Sequence, residues 1–280
     1  MNTLKIRRTG LTVIAIVLAI VWVFPVYWMV NSSLISTSVL QQFTPHFWPG
    51  ADFTWANFVG AVTDGKFFGA LGMSLAITLI VVVVCLLFAF LGAVAISRFR
   101  FRGRRGFIVA LLLIQMLPAE GLFIAQYKMM SSVGMLNSIF GVSVIYIAAV
   151  VPFTVWMLRG FVAGIPAELE EAAMVDGLSR FQAFMRVTFP LLAPGLVASG
   201  VFAFLQAWNE ITVAVVLLPA ESAQTLPLWL RGFVMASATR ETDWGQVMAA
   251  STIVAIPVII FFLIVQGRMT SGLVGGAVKG

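Results

Sequence analysis

Few residues in this sequence have side chains that commonly perform catalysis or bind metals. It contains one cysteine, Cys85, and one histidine, His46, which excludes internal disulfide bonds and metal sites built from several cysteines or histidines. There is no nucleotide-binding G-x-x-x-x-G-K-[ST] loop, since Gly65 and Lys66 are followed by Phe67, and no G-x-S-x-G nucleophile motif. We therefore expect a chain that is not an enzyme and binds no cofactor itself.

Two glutamates, Glu120 and Glu210, lie in otherwise apolar segments, where inserting a charged side chain into a membrane costs about 3 kcal/mol. Trp208 and Asn209 directly precede Glu210. Trp208, Asn209 and Glu210 have two interpretations: they line a translocation path, where the polar groups bond a substrate and Trp208 stacks on it, or they tie this helix to its neighbours. Glu120 follows Pro118, where a loosened backbone can line a cavity. The sequence does not decide whether the two glutamates meet.

The composition around these residues is that of a membrane protein. Hydrophobic residues make up 61% of the 280 residues and charged residues 10%, whereas a soluble domain is about half apolar and about a quarter charged. A helix needs about 20 apolar residues to cross the hydrocarbon core. The apolar stretches predict six such helices, at residues 11–30, 67–97, 106–127, 140–162, 191–218 and 245–266, the third of them interrupted by Pro118 and Glu120. The predicted fold class is an all-α membrane protein, with a kink in the sixth helix at Pro257.

The positive charges predict how these helices are oriented. If the N-terminus is cytoplasmic, that side receives most of the 17 lysines and arginines, namely Lys5, Arg7, Arg8, Arg98, Arg100, Arg102, Arg104, Arg105, Arg159, Arg180, Arg186, Arg268 and Lys279. The outside receives only Lys66, Lys128, Arg231 and Arg240. Because positive residues favour the cytoplasmic side, both termini are predicted to be cytoplasmic (N-in, C-in). The net charge of +6 is then a topology signal, and nucleic acid is not an expected partner.

The predicted external segment, residues 31–66, is rich in aromatic residues: Phe43, Phe47, Trp48, Phe53, Trp55 and Phe58. Such residues either form an anchoring belt at the membrane interface or contact an external partner.

The predicted cytoplasmic segment, residues 163–190, has the pattern of two short helices. Pro166 suits the start of the first, and the acidic residues from Glu168 onward suit its positive N-terminal end. Gly177 is expected to end or bend that helix. A second helix is expected to start at Ser179 and to close at Pro190, which gives a helix–turn–helix lying against the membrane.

Within this segment, the sequences Glu171-Ala172-Ala173, Asp176-Gly177 and Phe189-Pro190 resemble the Glu-Ala-Ala signature of bacterial ABC-importer permeases. Phe189 stands where leucine is commoner in that family. Residues 204–211 are similar to the Trp-Asn-Glu segment of carbohydrate-importer permeases. Residues 272–280 are similar to the glycine-rich tail of the maltose-type branch.

The resemblance implies a MetI-like type I ABC-importer transmembrane domain in the bacterial inner membrane. The implied function is to move a sugar or oligosaccharide from an extracytoplasmic binding protein into the cytoplasm. Besides that binding protein and the lipid membrane, the implied partners are a homologous second permease and two copies of an ABC ATPase that holds ATP and Mg. The residues implied to couple transport to the ATPase are Glu168, Glu170, Glu171, Ala172, Ala173, Asp176 and Gly177.

Three parts of the chain are expected. Residues 1–66 form an N-terminal helix and an external loop, residues 67–266 form the transmembrane core with its coupling loop at 163–190, and residues 267–280 form a cytoplasmic tail. The glycines of the tail argue against a helix and for an adaptable peptide. The resemblance implies that this tail contacts the ATPase through Gly272, Gly275, Gly276 and Lys279.

Other functions fit parts of the sequence. Related permeases carry sugar alcohols or glycerol phosphodiesters, so the substrate stays open at this point. An ion-coupled secondary transporter would use Glu120 and Glu210 as its ion site, but six spans without a visible internal repeat argue against it. A membrane-embedded enzyme would need a catalytic constellation that the sequence lacks.

Overall fold

The computed structural model describes the backbone of residues 2–42, 44–236 and 243–277, and the side chains of residues 10–42, 44–235 and 243–267. Its helices are α1 (Asn2–Ser33), α2 (Thr37–Leu40), α3 (Ala56–Val62), α4 (Phe67–Arg98), α5 (Arg104–Gln115), α6 (Phe123–Ser132), α7 (Ile139–Ala163), α8 (Glu168–Val175), α9 (Arg180–Ala183), α10 (Phe189–Leu191), α11 (Ala193–Asn209), α12 (Thr212–Leu217), α13 (Leu226–Ala236) and α14 (Trp244–Ala277). Among these residues, four helices are long and apolar enough to cross a membrane, and two bent helix pairs bring the number up to six. The predicted all-α class is confirmed, and the N-in, C-in orientation stays a prediction.

The third predicted span is sharply bent. α5 ends at Gln115, and the helical segment Ala119–Ser132 continues at 92° to it. Pro118 lies at the bend with an extended backbone (φ −65°, ψ 121°). Proline has no N–H to donate to the preceding turn, and the extended backbone of Pro118 takes the chain out of the helix at this point.

The fifth predicted span, residues 191–218, is wrong as a single helix. α11 ends at Asn209 after 17 residues, and α12 begins at Thr212. Glu210 lies between them with an extended backbone (φ −71°, ψ 124°), which no helix can include. At its other end, α11 meets the helical segment Arg180–Leu191 at 61°.

The expectation of a non-helical tail is wrong for the described backbone, because α14 continues to Ala277. A glycine lowers helix stability by about 1 kcal/mol relative to alanine, but it keeps its backbone N–H, so the hydrogen-bond ladder of the apolar span continues. Gly272, Gly275 and Gly276 therefore lie within α14, whereas Lys279 lies outside the described residues.

The chain forms two compact units: residues 1–68 with 229–257, and residues 69–228 with 258–280. In the first unit, polar side chains fix the segment that follows α1. The Asn57 amide donates to the carbonyl oxygens of Ser33 (3.0 Å) and Ile35 (2.8 Å). The Trp229 indole donates to the Asp64 carboxylate at 2.5 Å.

In the second unit, small residues let the long helices approach closely. A Cβ placed on Gly92 of α4 would lie 3.3 Å from Val155 of α7, and one placed on Gly195 of α11 would lie 2.5 Å from the Phe161 ring. Close approach of this kind drives helix association in membranes, where lipid tails are as apolar as the side chains. A larger residue at Gly195 would require Phe161 to shift, and one at Gly92 would press more lightly on Val155.

Candidate functional site

The Glu-Ala-Ala signature lies on α8, a short helix with one exposed side. Glu168, Glu171 and Ala172 are exposed, whereas Ala173 is buried. The acidic residues occupy the first turn, where the helix dipole favours negative charge. The outward side of α8 is thus acidic at its start and small in its middle. At its C-terminal end Val175 is 88% exposed.

Gly177 ends α8, as the sequence predicted. The Gly177 N–H donates to the Met174 carbonyl and the Leu178 N–H donates to the Ala173 carbonyl, both at 3.1 Å. These two bonds form a Schellman motif, which needs a left-handed residue at its centre, and Gly177 has φ 90°. A Cβ on Gly177 would meet nothing within 4 Å. Within this chain the glycine is therefore required by its backbone conformation and not by a neighbour.

The second predicted helix begins at Ser179, as expected, but it does not close at Pro190. Ser179 and Gln182 form a capping box, in which each side chain accepts from the other's N–H (3.3 and 2.9 Å). The chain stays helical through Leu191, and a π-helical turn at Phe184–Thr188 precedes the proline. Proline lacks an N–H and clashes with the carbonyl four residues earlier, and the wider π turn accommodates it.

Glu170 points away from the exposed side of α8 and into the protein. Its Oε1 lies 3.3 Å from Nη2 of Arg98, and it accepts a hydrogen bond from the Thr188 hydroxyl at 2.6 Å. The same Arg98 nitrogen donates to the Ile165 carbonyl at 3.0 Å. Both charged side chains are only 17% exposed. The residues implied to contact an ATPase are therefore of two kinds, and Glu170 and Ala173 belong to the inward kind.

Glu210 caps the helix that follows it. Its Oε1 accepts from the Thr212 hydroxyl (2.6 Å) and the Val213 N–H (2.8 Å), and its Oε2 accepts from the Ala214 N–H (3.2 Å). The Tyr146 hydroxyl of α7 donates to the Glu210 backbone carbonyl at 3.3 Å. This geometry favours a structural role for Glu210 over the role of a free carboxylate that lines a translocation path.

The other three candidates for the translocation path differ in their surroundings. Trp208 is 1% exposed and stacks on Phe204 at 5.7 Å, and its Nε1 has no hydrogen-bond partner among the described residues. The exposed Asn209 amide donates to the carbonyl of Leu205, one turn earlier (2.9 Å). Glu120 is exposed in the turn Ala119–Leu122. Within the described part of the chain, no hydrogen bond or ion pair joins Glu120 to the other three.

Sequence reasoning missed the structural roles of three polar residues. Arg98 and Thr188 bond Glu170 of α8, and Asn137 bonds the end of α12 and the segment after it. Asn137 has a left-handed backbone (φ 55°); its N–H donates to the Leu217 carbonyl (2.9 Å) and its Oδ1 accepts from the Ala220 N–H (2.8 Å). The available signal was an asparagine in a short link between two helices, because asparagine tolerates this conformation better than most residues.

Among the described residues, no group of three or more His, Cys, Asp or Glu side chains could hold a metal ion.

Comparison with known proteins identifies a family and two similar permeases. The family described as "Binding-protein-dependent transport system inner membrane component" matches residues 89–272. The diacetylchitobiose uptake system permease protein DasC of Streptomyces coelicolor is 44% identical over 273 residues, which cover 98% of each chain. The trehalose transport system permease protein SugB of Mycobacterium tuberculosis is 34% identical over 258 residues, which cover 91% of this chain and 92% of the relative.

A solved structure has the same fold. It is the crystal structure of a bacterial ABC transporter involved in the import of the acidic polysaccharide alginate. One of its chains superimposes with a TM-score of 0.77 and 26% identity, over 95% of this chain and 98% of the other.

The cap at Glu210 predicts a stability effect. Glu210→Ala removes the acceptors of three donors at the start of α12, so we expect a loss of about 1 kcal/mol or more and a lower melting temperature of the detergent-purified protein. Glu210→Gln keeps one acceptor oxygen and should lose less. Glu120→Gln is the matched control and should melt like the wild type. Equal melting temperatures for Glu210→Ala and the wild type would contradict the structural role.

Proposed function

The chain belongs to the family of binding-protein-dependent transport system inner membrane components, and on this premise we propose how it works as the permease subunit of an ATP-driven sugar importer. It is a transport subunit of the bacterial cell membrane and not an enzyme. A second permease, separate ATPase subunits and an extracytoplasmic binding protein complete the importer. We propose that ATP and Mg are bound by those ATPase subunits and that this chain binds no cofactor.

We propose a neutral disaccharide as the substrate, with diacetylchitobiose as the first probe. The observation that carries this proposal is the 44% identity, over 98% of both chains, to a permease named for diacetylchitobiose uptake. Charge supports a neutral sugar over an anionic glycerol phosphodiester. Residues 67–97 and α11 contain no lysine or arginine, and the charged residue that follows α11 is the acidic Glu210. An anionic substrate beside these helices would find no lysine or arginine on them to offset the cost of removing its charge from water.

The exposed side of α8 is the part of the chain that we propose to dock on the ATPase. Its contact residues would be Glu168, Glu171, Ala172, Asp176 and Gly177, which are all exposed. Small residues allow another backbone to approach closely, and the two glutamates offer carboxylates to positive groups of a partner. A short helix fixed at both ends transmits a displacement because packed helices move as rigid bodies.

The proposed role of the tail also changes with its helical backbone. Gly272, Gly275 and Gly276 follow each other at intervals of three and one residues on α14. A helix without side chains at these positions lets a partner surface lie against its backbone. We propose that this end of α14 contacts the ATPase subunits, and that Lys279 adds a positive charge to the contact.

The importer function can be tested in proteoliposomes that contain this chain, a second permease and the ATPase, supplied with the binding protein. Uptake of radiolabelled diacetylchitobiose should require ATP and should persist after ionophores collapse the membrane potential and the proton gradient. A matched assay with labelled trehalose separates the two disaccharides. Loss of uptake on adding ionophore at constant ATP would instead support an ion-coupled transporter that uses Glu120 and Glu210.

Gly177→Leu should uncouple ATP hydrolysis from sugar uptake, because a bulky side chain keeps the ATPase surface away from α8. Loss of a contact worth about 1.4 kcal/mol lowers uptake about tenfold. Gly103→Leu is the matched control: Gly103 has φ 91° and a Cβ on it would also meet nothing within 4 Å, so both variants carry the same backbone strain. If Gly177→Leu and Gly103→Leu gave equal uptake and equal ATPase stimulation, docking through Gly177 would be wrong.

Removing residues 272–280 should leave the protein inserted in the membrane and weaken its association with the ATPase, because the last part of the proposed contact is lost. The measurement is the amount of ATPase that co-purifies, together with the ATP hydrolysis rate of the assembled importer. Wild-type assembly and turnover in the truncated protein would show that the tail makes no contact that matters.

A further inference from the structure

The contact of Arg98 with Glu170 joins parts of the second unit that are far apart in sequence. Arg98 is the last residue of α4, which is apolar enough to span a membrane, and Glu170 lies in the first turn of α8. Thr188, which also bonds Glu170, lies in the π turn that leads into α10 and α11. The Ile165 carbonyl, which accepts from Arg98, lies just after α7. The ion pair and the hydrogen bonds of its two residues therefore connect α8 to the ends of α4 and α7 and to the helical segment that precedes α11.

The positions of the two charges suit their helices. An arginine at the last residue of α4 lies where the helix dipole favours a cation, and a glutamate in the first turn of α8 lies where it favours an anion. Both side chains are 17% exposed, and an ion pair shielded from water is stronger than one on an open surface. Removing one partner would leave the other charge partly buried and unpaired, which is costly. The pair thus joins the end of α4 to the first turn of α8.

We propose that Arg98 and Glu170 are positioning residues that fix α8 to the end of α4, so that movement of α8 is passed to this long helix. The inference rests on the proposed function, because it takes the ATPase to move α8 through the exposed residues Glu168 and Glu171. Glu170 itself does not touch the ATPase. Without the ion pair, α8 still docks, but the loop at residues 163–190 bends and absorbs the displacement. ATP is then hydrolysed with less transport.

The test measures how much sugar is imported for each ATP hydrolysed. The importer in proteoliposomes carries Arg98→Gln, Glu170→Gln or both, with diacetylchitobiose or trehalose as the probe, whichever the wild type imports. Each single variant should lower the sugar imported per ATP about tenfold, which corresponds to about 1.4 kcal/mol. The double variant should be no worse than either single variant, because both remove the same connection. Arg100→Gln, an exposed arginine two residues away, is the matched control and should behave like the wild type.

Several outcomes would overturn the inference. Additive losses in the double variant would mean that the two residues act separately. Weaker co-purification of the ATPase with Glu170→Gln would mean that Glu170 belongs to the docking surface. A fall in uptake and hydrolysis by the same factor, together with a lower melting temperature, would mean that the pair only stabilises the fold. Partial recovery in the exchanged pair Arg98→Glu with Glu170→Arg would support it, since the ion pair is restored without the bond to Ile165.

A second measurement separates this inference from the proposed function. Hydrogen–deuterium exchange of the α8 amides, measured on the purified full chain, should rise in Glu170→Gln and stay at the wild-type rate in Arg100→Gln. If the wild type imported neither sugar with ATP, the proposed function would fail while the exchange result still decided whether the pair holds α8. Unchanged exchange in Glu170→Gln would overturn the inference whatever the wild type transports.

Discussion

A backbone group that leaves a helix inside a membrane has no water to bond, and this constraint governs the broken parts of the structure. At the end of α11 the chain turns through Glu210, whose carboxylate accepts three hydrogen bonds from residues at the start of α12. At the other end of α12, Asn137 takes up the Leu217 carbonyl and the Ala220 N–H. Glu210 and Asn137 are therefore explained by backbone groups that need partners. A charged residue at such a position is costly in lipid, but it costs less than several unbonded donors would.

The same absence of water changes what holds the long helices together. Apolar side chains gain nothing by leaving lipid, so α4, α7 and α11 associate through close contacts and a few polar bonds. Gly92 and Gly195 provide the space for Val155 and Phe161. Cys85 on α4 donates a weak hydrogen bond to the Thr154 hydroxyl on α7 at 3.3 Å, which adds a polar contact inside this packing. Helices held in this way shift as whole units, and a transport subunit that alternates between states needs such units.

The sequence predicted the class of the fold, the ends of α8 and the break at Pro118, and it missed the break at Glu210. Apolar length is a strong signal because a span must cover the hydrocarbon core, and Gly177 and Ser179 are local signals that need no tertiary contact. Glu210 stands out in the sequence as a charged residue in an apolar stretch. Its capping role depends on a backbone turn that no residue pattern in this stretch predicts. The glycine content of the tail predicts a peptide that is not helical. That prediction leaves out the preceding apolar span, whose helix continues into the tail. The sequence assigns Glu170 to the contact with the ATPase and Arg98 only to the cytoplasmic positive charge, since their pairing joins residues 72 positions apart and no local pattern reports it.

The geometry of α8 reconciles two demands on the coupling element that we propose, which must be accessible to a partner and anchored to its own subunit. A helix advances by about 100° per residue, so Glu168 and Glu171, three residues apart, share one side, while Glu170 lies on another. The run Glu168-Leu169-Glu170-Glu171 thus distributes three carboxylates over two surfaces without lengthening the helix. The Schellman turn at Gly177 then reverses the chain within two residues, and the capping box at Ser179 starts the next helix at once. Because few residues separate α8 from its neighbours, its anchors would set the direction of the displacement that we propose, and the inward Glu170 is the charged anchor.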